Sequence, residues 1–425
     1  MKLLHLTPSQ ILKDSEPGSN ARVAGRVFQL LQSDAGLALK LHDASASISV
    51  ISRGARVPLA ANQAVPGALK DGDHAVFVGE LVRENTGQFC LERAQLEQYW
   101  PAPFPPQDSE FQRTAFGDRG TNITRRAQLL RELRIWFERA GFLEVDTPTR
   151  VLSPGSDAYV SAFSSEERYL ITSPEHHMKR LVAAGFYQIF QLAHCFRRDE
   201  SGHLHQPEFL MLEWYRAFAS QLEVMEDTEA IVVSMIAALR PQEDPSQLKV
   251  GALQLDLRRP FERITLREAF AEYAGIADAV ELAATDEDHY FQLFVDKVEP
   301  QLARHPRPVF LCEFPSTQAA LARRKPSDQS VAERFELYVA GVELCNGYSE
   351  LTDPDEFLKR ESEENARKLA TGAASYPADP DLLRALQAGF PPTGGNALGV
   401  DRLLALALGR QDIRGIVTFE HESDH

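Results

Sequence analysis

Over the first hundred residues apolar and polar positions alternate in short runs. Arg22-Val23-Ala24-Gly25-Arg26-Val27-Phe28 and Ser47-Ile48-Ser49-Val50 follow a period of two, and Leu37–Asp43, His74–Leu81 and Phe89–Leu91 are further strand-like runs. Asp71-Gly72-Asp73 and Asn85-Thr86-Gly87 separate them as turns. About five short strands with a longer excursion before Asp71 predict a small closed barrel of the OB-fold kind over residues 1–100, or another small β-domain. The run Trp100-Pro101-Ala102-Pro103-Phe104-Pro105-Pro106 can continue neither a ladder nor a helix, so residues 101–119 read as a stiff proline-rich linker.

From residue 120 the period changes. Leu129, Leu130, Leu133, Trp136 and Phe137 fall at helical spacing within Ile123 to Ala140, Gly141 ends that helix, and Phe142 to Thr147 reads as a strand stopped by Pro148. Helices are expected at Glu175–Ala184, Gln221–Leu239 and Arg402–Leu408, and strands at Gln188–Leu192, Phe209–Tyr215, Val309–Glu313 and Arg334 to Tyr348. Helices mixed with long strands, without regular βαβ alternation, predict an α+β domain with a largely antiparallel sheet over 120–425.

Composition narrows the class. The chain has 425 residues, 44% hydrophobic and 25% charged, as in ordinary globular domains, and its length suggests two of them. Met1 to Gln10 carries no basic region followed by an apolar run, and no stretch is long and apolar enough for a membrane span, so neither a secretory signal nor a membrane partner is expected. Cys90, Cys195, Cys312 and Cys345 are scattered without a CxxC pair, which fits a reducing cytoplasmic setting. The net charge of −16 disfavours nonspecific nucleic-acid binding, and the whole excess lies beyond residue 100, because residues 1–100 hold ten basic and ten acidic side chains.

Three stretches carry candidate chemistry. Cys195 to Tyr215 reads as strand, polar loop, strand, so Arg197 leaving one strand and Phe209 entering the next can grip a nucleotide by phosphate and purine. Glu213 and Tyr215 share a sheet face and can receive an ammonium group. Taken alone, the stretch reads first as an ordinary charged hairpin. In Arg334 to Glu350, a turn at Gly341 can bring Glu336 and Glu343 together as oxygen ligands for Mg²⁺, and Asn346, Tyr348 and Glu350 share one face. A solvated edge strand has the same spacing. Finally, Gly394-Gly395-Asn396-Ala397-Leu398-Gly399 lets backbone approach a ligand, and Arg402 at the start of an apolar helix opposes the macrodipole unless an anion sits there.

In this order the stretches resemble the motifs of class II aminoacyl-tRNA synthetases. Pro148 resembles the first, which implies a homodimer interface; Phe196-Arg197 through Phe209 resembles the second, and Gly399-Val400-Asp401-Arg402 the third. Met211-Leu212-Glu213, Asn346-Gly347-Tyr348 and Glu350 resemble the lysine-activating branch. Thr172-Ser173-Pro174-Glu175-His176-His177-Met178-Lys179-Arg180-Leu181, Trp214, Phe314–Ala319 and Ala397 resemble its protein-modifying ligases, which act on elongation factor P. Two positions depart in residue but not in type: Asp199 replaces a usual glutamate and Gln206 a usual asparagine. The barrel is the larger departure, because those ligases are typically bare catalytic domains while lysyl-tRNA synthetases carry an OB-fold.

The resemblance implies ATP-dependent activation of lysine or β-lysine, with Mg²⁺, as an aminoacyl-adenylate. It assigns Arg197 to the α-phosphate, Phe209 to adenine, Arg402 to the γ-phosphate or adenine face, and Glu336 and Glu343 to the metal. Asp199, His205, Gln206, Leu344 and Gly399 complete the nucleotide site. Ser173 and Glu175 are assigned to the backbone-type amine, Glu213, Tyr215 and Glu350 to the side-chain ammonium, and Asn346, Tyr348 and Ala397 to the rest of that pocket; His176, His177 and Met178 are read as helix packing. Elongation factor P is the expected acceptor, tRNA the alternative, and a catalytically silent regulatory paralogue a third reading that the intact Arg197, Glu343 and Arg402 disfavour.

Overall fold

A computed structural model describes residues 4–33, 36–43, 46–53, 69–104, 106, 109–155, 160–319, 321–370, 372 and 374–419. The excursion expected before Asp71 falls mainly on 54–68, and the linker includes Pro105, Gln107 and Asp108; these lie outside the described residues. The chain forms two compact units, Met1–Thr124 and Arg125–His425.

In the first unit strands β1 (Leu4–Leu6), β2 (Asn20–Ser33), β3 (Gly36–Asp43), β4 (Ala46–Arg53), β5 (His74–Arg83) and β6 (Phe89–Trp100) run in the order β1-β2-β3-β4-β6-β5. β5 returns to β2, which closes a five-strand OB-like barrel with β1 added in parallel. One long strand serves two neighbours: Asn20–Arg26 pairs with β5 and Arg26–Ser33 with β3, across an irregularity where Gln29 takes a φ of 52°. Val23, Val27, Leu39, Leu41, Val50, Phe77 and Leu91 fill the interior, as the alternation requires. β6 does not stop at Leu91 as the sequence suggested but continues to Trp100, which pairs with His74. Register shifts and a positive φ at Arg93 break the period of two there, so alternation alone cannot follow the strand.

The second unit is built on one eight-stranded sheet. Helix α1 (Asp118–Arg139) runs into it from the first unit, followed by β7 (Leu143–Glu144), α2 (Glu175–Ala183), β8 (Gln188–Phe196), β9 (Glu208–Ala217) and α3 (Gln221–Leu239). Then come β10 (Glu262–Thr265), β11 (Val309–Cys312), β12 (Arg334–Val339), β13 (Val342–Ser349), α4 (Pro354–Ala370), β14 (Thr393–Gly399) and α5 (Val400–Ala407). The strand order is β10-β11-β12-β13-β14-β9-β8-β7, antiparallel except for the two outermost pairs. Only Leu143–Glu144 of the expected Phe142–Thr147 strand is paired, whereas the β8/β9 hairpin is longer than expected, from Gln188↔Arg216 to Phe196↔Glu208.

One sheet face is covered. Leu129, Leu133 and Phe137 of α1, Val224, Ile231, Val232 and Met235 of α3, and Leu403 and Leu404 of α5 pack against Leu212, Trp214, Leu337 and Leu398. Burial of this apolar area fixes the register, since a one-residue slip would turn every core side chain outward. A capping box in which Ser220 and Glu223 exchange hydrogen bonds starts α3. The other sheet face carries the polar side chains of the cavity, flanked by smaller apolar clusters such as Ile189 with Met178 and Val182 of α2, and Ala193, Cys195 and Met211.

Candidate active site

Strand register alone places most of the polar face. Gln191, Glu213, Ala397, Asn346, Glu336 and Leu311 stand directly opposite one another on six adjacent strands, so they form one rung pointing to one side. Tyr215, Gly395, Tyr348 and Arg334 form the next rung. Three strand spacings separate Glu213 from Glu336, roughly 14 Å. Above these rungs lies a cavity of about 440 Å³.

At one end the cavity is rich in buried carboxylates. Ser173 Oγ donates to Glu213 Oε2 (2.8 Å) and Tyr215 OH to Glu213 Oε1 (2.6 Å). Burial, reinforced by Glu175, pushes the Glu213 carboxyl up to about 7. Glu350, 1% exposed, is pushed up to about 8 by burial against the pull of Lys179. Gly395 is glycine for a spatial reason: a Cβ there would overlap Glu350 Oε1 and the Tyr215 ring. Glu175, the first residue of α2, accepts from Tyr348 OH (2.7 Å); its burial cost is outweighed by Lys179, which holds it below the usual carboxylate range.

The other end mixes arginines with a carboxylate pair. Ala340 and Gly341, both at positive φ, make the tight turn between β12 and β13. A bulge between Leu337 and Tyr338 sets Tyr338 opposite Glu343 and Glu336 opposite Asn346. It brings Glu343 onto the face of Asn346 despite their odd separation. Burial and then Glu343 raise Glu336 to about 7. Glu336 is not left to solvent or cation alone: Arg334 Nη2 (2.6 Å) and Tyr338 OH (2.8 Å) both donate to it. Arg402, third residue of α5, donates to the carbonyls of Glu343 (2.6 Å) and Leu204 (3.3 Å) and to His205 Nε2 (2.7 Å). Burial and the Arg402 charge lower His205, which suits a neutral, accepting ring. The Arg197 guanidinium lies 5.2 Å from the Phe209 ring centroid, and its buried Nε has no hydrogen-bond partner. A buried donor of that kind fits an anionic ligand.

Ser173, Glu175, Arg197, His205, Gln206, Phe209, Glu213, Tyr215, Glu336, Glu343, Leu344, Asn346, Tyr348, Glu350, Ala397, Gly399 and Arg402 all line this one cavity. Asp199 stands apart: it is exposed, sits at a φ of 69°, pairs with Arg198, and leaves its neighbour Glu200 to line the cavity. Trp214 lies on the opposite face, fully buried with its ring 5.7 Å from Phe137, so it has no contact with a ligand in the cavity. Met178 is buried in α2, and His176, also buried there beside Asp379 at 3.7 Å, lines the cavity as well.

Sequence reasoning passed over three features. Lys179 reaches Glu175 and Glu350 from α2, and its spacing of four from Glu175 was the available signal. Arg334 joins Glu336, Asn346 (3.1 Å) and the Gln318 carbonyl, a convergence that no local pattern announces. Asp401, 3% exposed, pairs with Arg126 of α1 and accepts from Leu210 N (3.2 Å), which ties the last helix to β9.

Comparison with known proteins agrees with this geometry. Residues 115–423 match the family model of the class II tRNA synthetases (D, K and N). The elongation factor P–(R)-β-lysine ligase of Klebsiella pneumoniae (strain 342) is 39% identical over 312 residues, covering 70% of this chain and 94% of that protein. Ligases of the same name from Salmonella gallinarum and Yersinia enterocolitica are 39% identical with the same coverage. The chain belongs to the class II tRNA synthetases of the D, K and N group and, within them, to the elongation factor P–(R)-β-lysine ligase family.

Proposed function

We propose that the chain activates lysine or β-lysine with ATP as an aminoacyl-adenylate and transfers it to a lysine side chain of elongation factor P. One observation carries the reading. One cavity holds the carboxylates Glu213, Glu175 and Glu350 together with Arg197 and Arg402, the pairing of charges that a diamine acid and a nucleotide require together.

In the first step an oxygen of the amino-acid carboxylate attacks the α-phosphorus in line, the bond to the bridging oxygen breaks, and pyrophosphate leaves with its electrons. Positioning and charge stabilisation supply most of the acceleration. Arg197, with its unpartnered Nε, would donate to the α-phosphate, and Phe209 would stack on adenine. Arg402 would exchange carbonyl partners for phosphate oxygens or the adenine face, with His205, Gln206, Leu344 and Gly399 around it. Glu336, whose carboxyl is raised by burial and by Glu343, would hold Mg²⁺ together with Glu343, and the ion's role when bound is to neutralise phosphate charge. Ser173 and Glu175 would receive the backbone-type amine, and Glu213, Tyr215 and Glu350 the side-chain ammonium, beside Asn346, Tyr348 and Ala397. In the second step the acceptor amine attacks the acyl carbon, an amide forms, AMP departs and the amine loses a proton.

The relatives' name supports elongation factor P as acceptor. The OB-like barrel favours a second reading, transfer to tRNA. We further read the chain as a cytoplasmic homodimer: Leu143 on the edge strand is exposed, as are Tyr187 and Phe218, whose rings meet at the ends of β8 and β9, Phe218 at 71%. Among the described residues no helix is long and apolar enough to cross a membrane. Pyrophosphate exchange into ATP tests the activation step. Exchange dependent on lysine or β-lysine is expected, and its absence with both amino acids would refute the reading.

A further inference from the structure

Lys179 is 2% exposed on the inner side of α2. Its Nζ lies 2.5 Å from Glu175 Oε1 and 2.5 Å from Glu350 Oε2, so those two oxygens stand within twice that distance of each other. The same ammonium sits 5.4 Å from the Tyr348 ring centroid, and Tyr348 OH donates to the Glu175 oxygen that Lys179 also binds. One residue of the helix thereby couples a carboxylate at the helix start to one at the end of β13. In the function proposed above, on which this inference rests, Glu175 and Glu350 hold different amines of one substrate.

We propose that Lys179 is a positioning residue that sets the spacing between the two ammonium sites and so selects between α-lysine and β-lysine. The isomers have amines on C2 and C6 or on C3 and C6, so they differ by one carbon in amine separation. A lysine suits the task because its compact charge has several donors and can bridge two carboxylates, where a planar guanidinium would impose a wider fork. Burial works against its charge, and Glu175 and Glu350 hold it protonated all the same. Its charged and titratable surroundings are Glu213 and Tyr215 from β9, Tyr348 and Glu350 from the β13 side, and Glu175 and His176 from its own helix. Glu361 of α4 and Asp379, which caps the helix after α4, act on His176 in turn. Without the ammonium, Glu175 and Glu350 would repel one another and take up protons, which loosens the spacing and makes diamine binding require a higher pH.

The test measures ATP–pyrophosphate exchange with α-lysine and with (R)-β-lysine for the full-length wild type, Lys179→Met and Lys179→Arg between pH 6 and 9. The wild type is expected to prefer one isomer. Lys179→Met should lose about tenfold of that preference and shift its amino-acid KM profile about one pH unit upward, with the KM for ATP within about twofold. Lys179→Arg should keep the pH profile and still change the preference. A wild type without preference, or a Lys179→Met that keeps preference and profile or weakens ATP and amino acid alike, would overturn the proposal. If Lys179→Met does not fold, Lys179→Arg decides, and an unchanged preference overturns it. Absence of exchange in the wild type would break the activation reading instead. Calorimetric binding of the two isomers to wild type and Lys179→Arg then becomes the readout, and equal selectivity of the two proteins overturns the proposal.

Discussion

Replacing Glu350 by glutamine removes one negative charge from the floor of the ammonium pocket with little change in shape. Lys179 keeps Glu175 as a partner at 2.5 Å, so the variant retains a paired internal cation and should fold. What is lost is a charge-assisted hydrogen bond to the substrate ammonium, worth about 1.5–3 kcal/mol. That corresponds to a rise in amino-acid KM of roughly 10- to 100-fold. The effect depends on pH. Glu350 titrates at about 8 in the free pocket, so below that value the carboxyl is increasingly protonated and must lose its proton before it can pair with an ammonium. Each unit below pH 8 then costs the wild type about tenfold in affinity through this group. The variant has no such proton to lose. Pyrophosphate exchange at saturating ATP, with the amino acid varied from pH 6 to 9, should show the KM values far apart at pH 9 and converging near pH 6. Parallel profiles, or a gap that widens in acid, would refute the assignment of Glu350 to the ammonium.

Other outcomes follow from the same geometry. Arg197→Ala removes the donor assigned to the α-phosphate and should lower exchange by about 10²- to 10³-fold with the fold intact by circular dichroism. Asp401→Asn leaves Arg126 without its buried partner and should cost about 3–5 kcal/mol in urea unfolding, since a half-removed buried pair is worse than none. Glu213, Glu336 and Glu350 hold protons more firmly when folded than when unfolded, so stability should fall as pH rises from about 5 towards 8. Thermal unfolding across that range checks this, and lysine with ATP should restore part of the loss at the alkaline end. Lysine substitutions at Tyr187 and Phe218 should shift sedimentation from dimer to monomer.

Much of this site was legible in the sequence because its chemistry sits on strands. The period of two put Glu213 beside Tyr215, and Asn346 beside Tyr348 and Glu350, on the faces where they are found. The turn at Gly341 was readable from its glycine. The bulge in the same hairpin was not, because an inserted residue changes parity without any residue type to mark it. For the same reason β6 runs on past Leu91 to Trp100. Trp214 appeared beside Glu213 in a motif associated with specificity, yet alternation itself sends it into the core. Lys179 looked like an ordinary helix charge, and only packing of α2 against the sheet shows that it is enclosed by carboxylates. Arg126 and Asp401 are 275 residues apart, a pairing that no local pattern can announce.

In the proposed function, activated lysine or β-lysine goes to a protein amine. The most direct measurement incubates the purified chain with ATP, radiolabelled lysine or (R)-β-lysine, and either elongation factor P or total tRNA. Label in elongation factor P that resists mild alkali, as an amide does, is the result expected. Alkali-labile label in tRNA, with elongation factor P unlabelled, would contradict it.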